Sequence, residues 1–360
     1  MQLLNRHFYA FFLVMLTLFL FPTILFAEDI SSYNDIIFFG DSLTDNGNLY
    51  RYDFGFLPKS PPYFKGRFSN GNVWSEMVAD YYHNSNITSD NYAIGGETAI
   101  FHNPMDGFLP YTLTASVDSY YINTSCKDKT HTLYIFWIGA NDYLSGNLET
   151  DKITSDVVSA IQSNIEGLIS HGATNFLILN LPDLSKTPAA VANGRVENLS
   201  VLSTLHNTKL DMLISSLQET HKDVNLHLYN ISKLFNDLLT TPDVFNNQFN
   251  THIKNTTGTC WAGGYTLKAL KNQQTSIEAQ LTKEMKAAQN VDVKALTNFI
   301  LSSPDLAAAY EVGERFSKGE TPCVDAGEYV FWDHVHPTAT VHFILSSLIT
   351  DYINQNYHHV

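Results

Sequence analysis

The chain has 360 residues, with 21 Lys and Arg against 36 Asp and Glu, so its formal net charge is −15. Proteins that bind nucleic acid need a positive surface to release counterions from the phosphates, and this balance argues against that class. Hydrophobic residues make up 44% of the chain, which is enough to build a core and excludes wholesale disorder.

The first 27 residues have the pattern of a secretory signal peptide. Arg6 supplies a positive start, and residues 8–27 form an almost unbroken apolar run that ends Leu25-Phe26-Ala27. This pattern predicts cleavage near Ala27 and a secreted, extracellular protein, which would pass through the periplasm if the cell is bacterial. An uncleaved anchor is the alternative, because the run approaches the roughly 20 residues that span a bilayer.

Three short apolar runs and one alternating stretch predict strands, at 35–39, 133–138, 176–179 and 224–228. Apolar residues recur at helical spacing in four other stretches, at 73–82, 153–169, 201–217 and 341–353. Strands that alternate with helices predict an α/β fold with a parallel sheet covered on both faces.

The segment between Cys260 and Cys323 differs from the rest of the chain. Residues 267–318 are rich in helix formers and have little strand signal, so we predict a helical insertion at about 261–322 rather than a second domain. Export permits disulfides, and with three cysteines one must stay unpaired or pair with another chain. We predict a Cys260–Cys323 bond, which leaves Cys126 free or intermolecular.

Polar blocks follow the predicted strands, at the sheet edge where functional groups gather in open parallel sheets. Gly40-Asp41-Ser42-Leu43 comes after the first strand and Gly139-Ala140-Asn141-Asp142 after the second. A glycine-containing block at 91–98 lies between them, and Asp333 and His336 stand near the C-terminus. A serine hydroxyl is a poor nucleophile until a base takes its proton, and that base must be held in the right tautomer. Asp333 and His336, three residues apart, can meet in a single turn.

These blocks resemble those of the GDSL (SGNH) lipase/esterase family, in the family's order: Gly-Asp-Ser-Leu at 40–43, the glycine block at 91–98, Gly-x-Asn-Asp at 139–142 and Asp-x-x-His at 333–336. The resemblance spans about residues 35–350 and is weakest over 255–320. It implies one three-layer α/β/α, flavodoxin-like SGNH hydrolase domain over 28–360, with a five-stranded parallel central sheet. It implies no cofactor and no metal.

The resemblance also implies a role for each matching residue. Ser42 is expected to be the nucleophile, with His336 as its base and Asp333 as the acid that orients the imidazole. An oxyanion hole is expected from the backbone N–H groups of Ser42 and Gly96 and the side-chain amide of Asn141. Glu97 departs from the family pattern, which often has Asp or Ala there, and no function is attached to it.

Several of these residues have a simpler interpretation. Ser42 alone would more often be a helix N-cap, and Asp41 is expected to stabilise the turn. His334 and His336 could be a metal pair, but no further ligands stand at telling spacing, so His334 is expected to have no catalytic role. Asp142 is expected to anchor its loop. The aromatic stretch at 54–64 either lines an acyl site or packs as a loop.

The function that follows is a secreted serine ester hydrolase that releases fatty acids from phospholipids or lysophospholipids through an acyl-enzyme. An alcohol or sterol in place of water would make it an acyltransferase. A carbohydrate or aryl esterase of the same superfamily is the enzyme alternative, and a secreted binding or adhesion protein with an inactive site is the other. The insertion is expected to lie over the site as a lid. The oligomeric state and the lipid head group stay open.

Overall fold

The computed structural model describes residues 32–53, 55–102, 111–144, 149–261, 273–284, 292–301 and 304–359. The predicted signal peptide lies outside the described residues, as do 262–272, 285–291 and 302–303 of the predicted insertion. Within the described ranges, no helix has both the length and the apolar content needed to cross a membrane.

The strands are β1 Ser32–Tyr33, β2 Asp35–Gly40, β3 Thr88–Asn91, β4 Thr132–Trp137, β5 Asn175–Leu179, β6 Asn225–Tyr229, β7 Asn255–Thr259, β8 Tyr329–Phe331 and β9 His358–His359. The helices are α1 Asn48–Tyr52, α2 Trp74–His83, α3 Leu113–Asn123, α4 Ala140–Leu144, α5 Thr150–Ser170, α6 Pro188–Ala192, α7 Val196–Thr220, α8 Ile231–Thr240, α9 Pro242–Phe249, α10 Gln274–Glu284, α11 Val293–Ile300, α12 Pro304–Ser317 and α13 Ala339–Asn356.

A five-stranded sheet in the order β3-β2-β4-β5-β6 forms the centre of the fold, and every neighbouring pair in it is parallel. The four predicted strands are β2, β4, β5 and β6, each within one residue of its predicted bounds. The fifth strand, β3, was not predicted. Its sequence, Thr-Ser-Asp-Asn, has no apolar residue, because it lies at the sheet edge with its side chains partly exposed.

Helices cover both faces of this sheet. Phe38 and Phe39 are consecutive in β2, so their side chains point to opposite faces. The Phe38 ring packs on Trp74 of α2 at 5.6 Å, and the Phe39 ring packs on Tyr120 of α3 at 6.0 Å. Helix α13 packs with α2 on the first face, while α3, α5 and α7 pack together on the second. The predicted α/β class and three-layer arrangement are therefore confirmed.

The four predicted helices correspond to α2, α5, α7 and α13. The largest difference is at α7, which begins five residues before the predicted Val201. The predicted start is late because the three residues from Val196 are exposed or only partly buried, although Leu199 after them is buried.

A second apolar cluster lies outside the sheet core. It joins helices α10, α11 and α12 to the loop residues that follow α1, and its buried members are Leu49, Leu57, Tyr63, Phe68, Ile94, Cys260, Trp261, Ile277, Leu281, Ile300, Leu301, Leu306, Ala307, Ala309, Tyr310, Val312 and Trp332. The described parts of 261–322 are thus mainly helical, and they pack against the residues that precede the C-terminal Asp333.

A disulfide joins Cys260 to Cys323, with their Cα atoms 4.8 Å apart, as predicted. Strands β7 and β8 pair in parallel beside it. Backbone hydrogen bonds continue past these strands, from Cys260 N–H to the Phe331 carbonyl and from Trp261 N–H to the Trp332 carbonyl. Cys126 is exposed and is not part of a disulfide.

Candidate active site

Ser42 lies in the turn that follows β2 at the carboxyl edge of the sheet. The Asp41 carbonyl accepts N–H bonds from Thr44 and Asp45, each at 2.9 Å, and the Asp41 side chain accepts one from Leu43 at 3.1 Å. Asp41 therefore stabilises this turn, as expected. The next helix, α1, begins only at Asn48, so Ser42 is not a helix N-cap.

The structure brings Ser42 together with the C-terminal Asp333 and His336. His336 Nε2 lies 3.0 Å from Ser42 Oγ, and His336 Nδ1 lies 2.8 Å from Asp333 Oδ2. Asp333 and His336 are fully buried and Ser42 is 3% exposed. A hydroxyl, an imidazole and a carboxylate thus stand in hydrogen-bond sequence, which is the arrangement that nucleophilic catalysis by a serine requires.

The three-residue spacing of Asp333 and His336 has a local structural cause. Asp333 Oδ1 accepts the backbone N–H groups of Val335 and His336, both at 2.8 Å, so the side chain closes a turn on itself. That turn directs the other carboxylate oxygen to the imidazole of His336. Burial alone would raise the pKa of Asp333, but the charge of His336 and the hydrogen bonds from His336 and Tyr63 lower it below its ordinary value. An ionised carboxylate accepts the Nδ1–H, which leaves Nε2, 3.0 Å from Ser42 Oγ, as the acceptor for the serine proton.

The expected oxyanion donors lie on the two neighbouring loops. Gly96 has φ +79°, a left-handed conformation that residues with a Cβ rarely adopt. The Asn141 amide is buried at the start of α4 and donates to the Glu97 carbonyl at 2.9 Å. This bond ties the loop after β4 to the glycine loop. Ser42 and Asn141 line the same cavity.

Asp45, which sequence reasoning gave no role, anchors the loops around Ser42. Its fully buried carboxylate accepts backbone N–H groups from Gly47 at 2.7 Å, Asn48 at 2.5 Å and Leu49 at 3.1 Å. It also accepts the Gly95 N–H at 2.7 Å, which joins the serine loop to the glycine loop. Asp45 follows the 40–43 block by two residues, but its partner Gly95 is 50 residues away in the sequence.

Asp142 anchors a further loop, as predicted. Its buried carboxylate accepts the backbone N–H groups of Ala99 at 2.8 Å and Ile100 at 3.2 Å, and it lies 2.9 Å from His102 Nε2. The residues after the glycine block are thereby held against the start of α4.

A mainly apolar cavity opens beside Ser42. It is lined by residues from well-separated parts of the chain: Asp41, Ser42, Leu43, Ala140, Asn141, Leu144, Pro182, Asp183, Leu184, Lys186, Thr187, Phe235, Asn236, Leu239, Phe331, Val335 and Pro337. Sequence reasoning missed most of this lining, because no local pattern links α8 to Leu144 or Phe331.

The described part of the aromatic stretch, 55–64, does not line this cavity. Leu57 and Tyr63 are buried in the second apolar cluster, with Phe56 packed against it, so the packed-loop interpretation describes these residues. Phe54 lies outside the described residues.

His334 contributes its backbone carbonyl to the Ala189 N–H at 2.9 Å. In the parts of the chain that the structure describes, no group of three or more His, Cys, Asp or Glu side chains is placed to hold a metal ion.

Comparison with known proteins gives relatives of the same family. A family model described as GDSL-like Lipase/Acylhydrolase matches residues 36–349. The phosphatidylcholine-sterol acyltransferase of Aeromonas hydrophila is 32% identical over 337 residues, which cover 93% of this chain and 94% of that protein. The secreted effector protein SseJ of Salmonella typhimurium is 31% identical over 206 residues, which cover 56% of this chain and 47% of its own length.

Solved structures resemble the chain more distantly. The carbohydrate acetylesterase Est24 from Sinorhizobium meliloti is 13% identical, with a TM-score of 0.38, and the match covers 80% of this chain and all of that one. A likeness this weak supports no statement about function, whereas the family model extends from β2 into α13 and includes Ser42, Asn141, Asp333 and His336. The chain belongs to the GDSL-like lipase/acylhydrolase family.

Proposed function

We propose that this protein is a secreted serine ester hydrolase that releases fatty acids from phospholipids or lysophospholipids. Ser42 is the nucleophile, His336 the general base and Asp333 the residue that orients it. The observation that carries the proposal is the hydrogen-bond sequence from Ser42 through His336 to Asp333, placed at the wall of an apolar cavity.

The first half of the reaction forms an acyl-enzyme. Ser42 Oγ attacks the ester carbonyl carbon while His336 Nε2 takes the hydroxyl proton, and Asp333 stabilises the imidazolium that results. The carbonyl oxygen becomes an oxyanion that the N–H groups of Ser42, Gly96 and Asn141 stabilise. The bond between the acyl carbon and the alcohol oxygen then breaks, and His336 gives the proton to the alcohol that leaves, which carries the head group of the lipid.

The second half releases the acyl chain. Water attacks the Ser42 ester with His336 again as base, a second tetrahedral intermediate collapses, and the fatty acid leaves with Ser42 reprotonated. An alcohol that replaces water in this step receives the acyl chain, so the same residues would also perform acyl transfer. The name of the Aeromonas relative, phosphatidylcholine-sterol acyltransferase, supports a phospholipid donor and a sterol acceptor for this chain.

The cavity supports a long acyl chain over a small acetyl group. Most of its wall is aliphatic or aromatic, and burying methylene groups there gains about 0.8 kcal/mol for each CH₂ removed from water. An enzyme that handles only acetyl esters gains nothing from such a wall. The carbohydrate or aryl esterase alternative is therefore tested by the acyl chain length that the protein prefers.

Secretion and the domain limits are part of the same proposal. A signal peptide at 1–27 would deliver the hydrolase domain, 28–360 with its helical insertion at about 261–322, outside the cell. The second relative, named a secreted effector, is consistent with export.

The test is fatty-acid release from phosphatidylcholine and lysophosphatidylcholine, with and without a sterol. We expect release by the wild type and none above background by Ser42→Ala, with both proteins folded by circular dichroism. Ser69→Ala is the matched control, since Ser69 is also a buried serine but donates to the Pro337 carbonyl. Undiminished release by Ser42→Ala would disprove the mechanism. A wild type that no fluorophosphonate labels at Ser42 would favour the binding-protein alternative.

A further inference from the structure

A tyrosine outside the family motifs contacts the carboxylate of Asp333. The Tyr63 hydroxyl donates to Asp333 Oδ2 at 2.5 Å, the same oxygen that lies 2.8 Å from His336 Nδ1. Tyr63 is 2% exposed and both partners are fully buried, so bulk water does not compete for these bonds. Asp333 is 270 residues away in the sequence.

We propose that Tyr63 is a positioning residue for ester hydrolysis: its hydroxyl fixes the rotation of the Asp333 carboxylate and takes up part of its negative charge, and so sets how strongly Asp333 holds His336. This inference rests on the proposed function. It adds a role for a residue that neither touches the ester nor belongs to the four motif blocks.

The hydrogen bonds of Asp333 give the physical reason. Oδ1 is held by the backbone N–H groups of Val335 and His336, and Oδ2 is shared between His336 and Tyr63. Without the Tyr63 hydroxyl, the negative charge on Oδ2 interacts with the His336 N–H alone and attracts it more strongly. A nearby negative charge favours the protonated imidazole. The imidazole of His336 then stays protonated up to a higher pH, and it can act as a base only above that pH.

The ring of Tyr63 is held independently of its hydroxyl. It packs edge to face on Trp332 at 6.4 Å and on Phe68 at 6.3 Å, and the Phe68 ring lies 5.0 Å from the ring of His336. These contacts belong to the second apolar cluster. A phenylalanine at position 63 keeps these ring contacts, so the substitution removes the hydroxyl and its hydrogen bond to Asp333 but not the packing of the ring.

Other ionisable groups face the Asp333–His336 pair, and the substitution leaves them in place. His334 stands in the same turn and feels the charges of Asp333 and of Arg315 on α12. His342 on α13 is fully buried and feels the charge of His336. A difference between Tyr63→Phe and the wild type therefore reports the tyrosine hydroxyl.

The experiment measures the rate at which a fluorophosphonate labels Ser42 from pH 5 to 9, in the wild type, Tyr63→Phe and Tyr310→Phe. Labelling needs the serine and its base but no particular acyl substrate. We expect Tyr63→Phe to lower the plateau rate about tenfold and to move the acid limb up by about half a pH unit, as suits the loss of a hydrogen bond to a charged group. Tyr310→Phe removes a buried hydroxyl of the same cluster and should match the wild type.

Two further readouts separate positioning from packing. Fatty-acid release by Tyr63→Phe should show a lower kcat with an unchanged KM, and the proton between His336 Nδ1 and Asp333 should move downfield in the NMR spectrum. A wild-type plateau, acid limb and proton shift in Tyr63→Phe would overturn the proposal, as would a change in KM alone. A wild type that is not labelled at Ser42 would instead overturn the proposed function, and this inference with it.

Discussion

The side-chain amide of Asn141 donates to the backbone carbonyl of Glu97 at 2.9 Å. One N–H of the amide is thereby used to hold the loop after β4 against the glycine loop, and a primary amide carries a second N–H. Both loops must stay in place if Gly96 and Asn141 are to donate to one oxyanion. The bond thus connects the architecture of the site to its proposed chemistry.

Asn141→Ala should lower kcat by about 10²–10³-fold, since removal of one oxyanion donor has an effect of that order. KM should change little, because the lost bond forms only as charge develops on the carbonyl oxygen. Steady-state kinetics on a soluble long-chain ester measures both constants. Asn164→Ala is the matched control, because Asn164 is a buried amide that donates to Ala160 and Thr114 in α5 and α3. Equal losses in the two variants would contradict an oxyanion role.

Leu239→Trp should change the acyl chain length that the enzyme accepts. Leu239 lies on α8 in the cavity wall, and an indole there would fill space that a long chain needs. We expect kcat/KM for palmitoyl esters to fall about tenfold or more while acetyl esters are hardly affected, because lost apolar contacts of this kind are worth about 1–3 kcal/mol. Val244→Trp, on the exposed surface of α9, is the control. An equal loss of kcat/KM for esters of every acyl chain length would mean that the acyl chain does not bind in this cavity.

The Cys260–Cys323 disulfide should contribute about 4 kcal/mol to the free energy of unfolding in the chain-entropy account, because it closes a long loop. The double variant Cys260→Ser/Cys323→Ser should therefore unfold at a clearly lower urea concentration than the wild type. Cys126→Ser should not, since Cys126 is exposed and outside the disulfide. Urea unfolding followed by tryptophan fluorescence measures all three. An unchanged midpoint in the double variant would show that the helices of 261–322 are held by packing alone.

His206 should make the protein less stable as the pH falls below about 6.5. Burial lowers the pKa of His206 to about 3, whereas a histidine in the unfolded chain has about 6.5. The folded state therefore binds fewer protons than the unfolded state between these values. The contribution of the neutral histidine is fully present above pH 6.5 and is lost as pH falls through that window, by about 2 kcal/mol at pH 5.

The measurement compares His206→Asn with the wild type by urea unfolding at pH 7.5 and pH 5. Asn retains an acceptor for the Tyr143 hydroxyl, which lies 2.8 Å from His206 Nδ1. The destabilisation caused by the substitution should shrink by about 2 kcal/mol at the lower pH. The comparison between the variant and the wild type is needed because burial also raises the pKa of Asp53 and Glu311 to about 7. An acid whose pKa is raised by folding changes the stability of the protein with pH in the opposite direction. Equal destabilisation by His206→Asn at pH 7.5 and pH 5 would refute the prediction.

The sequence by itself determined the class of fold and supplied the candidate residues of the site. Apolar runs marked β2, β4 and β5 because strands buried on both faces must be apolar, and alternation marked the edge strand β6. The other edge strand, β3, is polar and gave no signal. Ser42, Asn141, Asp333 and His336 became candidates because their short motif blocks resemble those of a known family, and the turn that Asp333 closes on the His336 N–H is local.

Only the tertiary structure decided what meets across long separations in the chain. The bond of Tyr63 to Asp333, the bond of Asp45 to Gly95 and the wall of the cavity beside Ser42 depend on contacts between distant segments. Such contacts are set by how whole helices and loops pack, and no local periodicity records them. The acidic composition excluded one class of partner, but the apolar cavity beside Ser42, which supports a lipid ester, exists only in the folded chain.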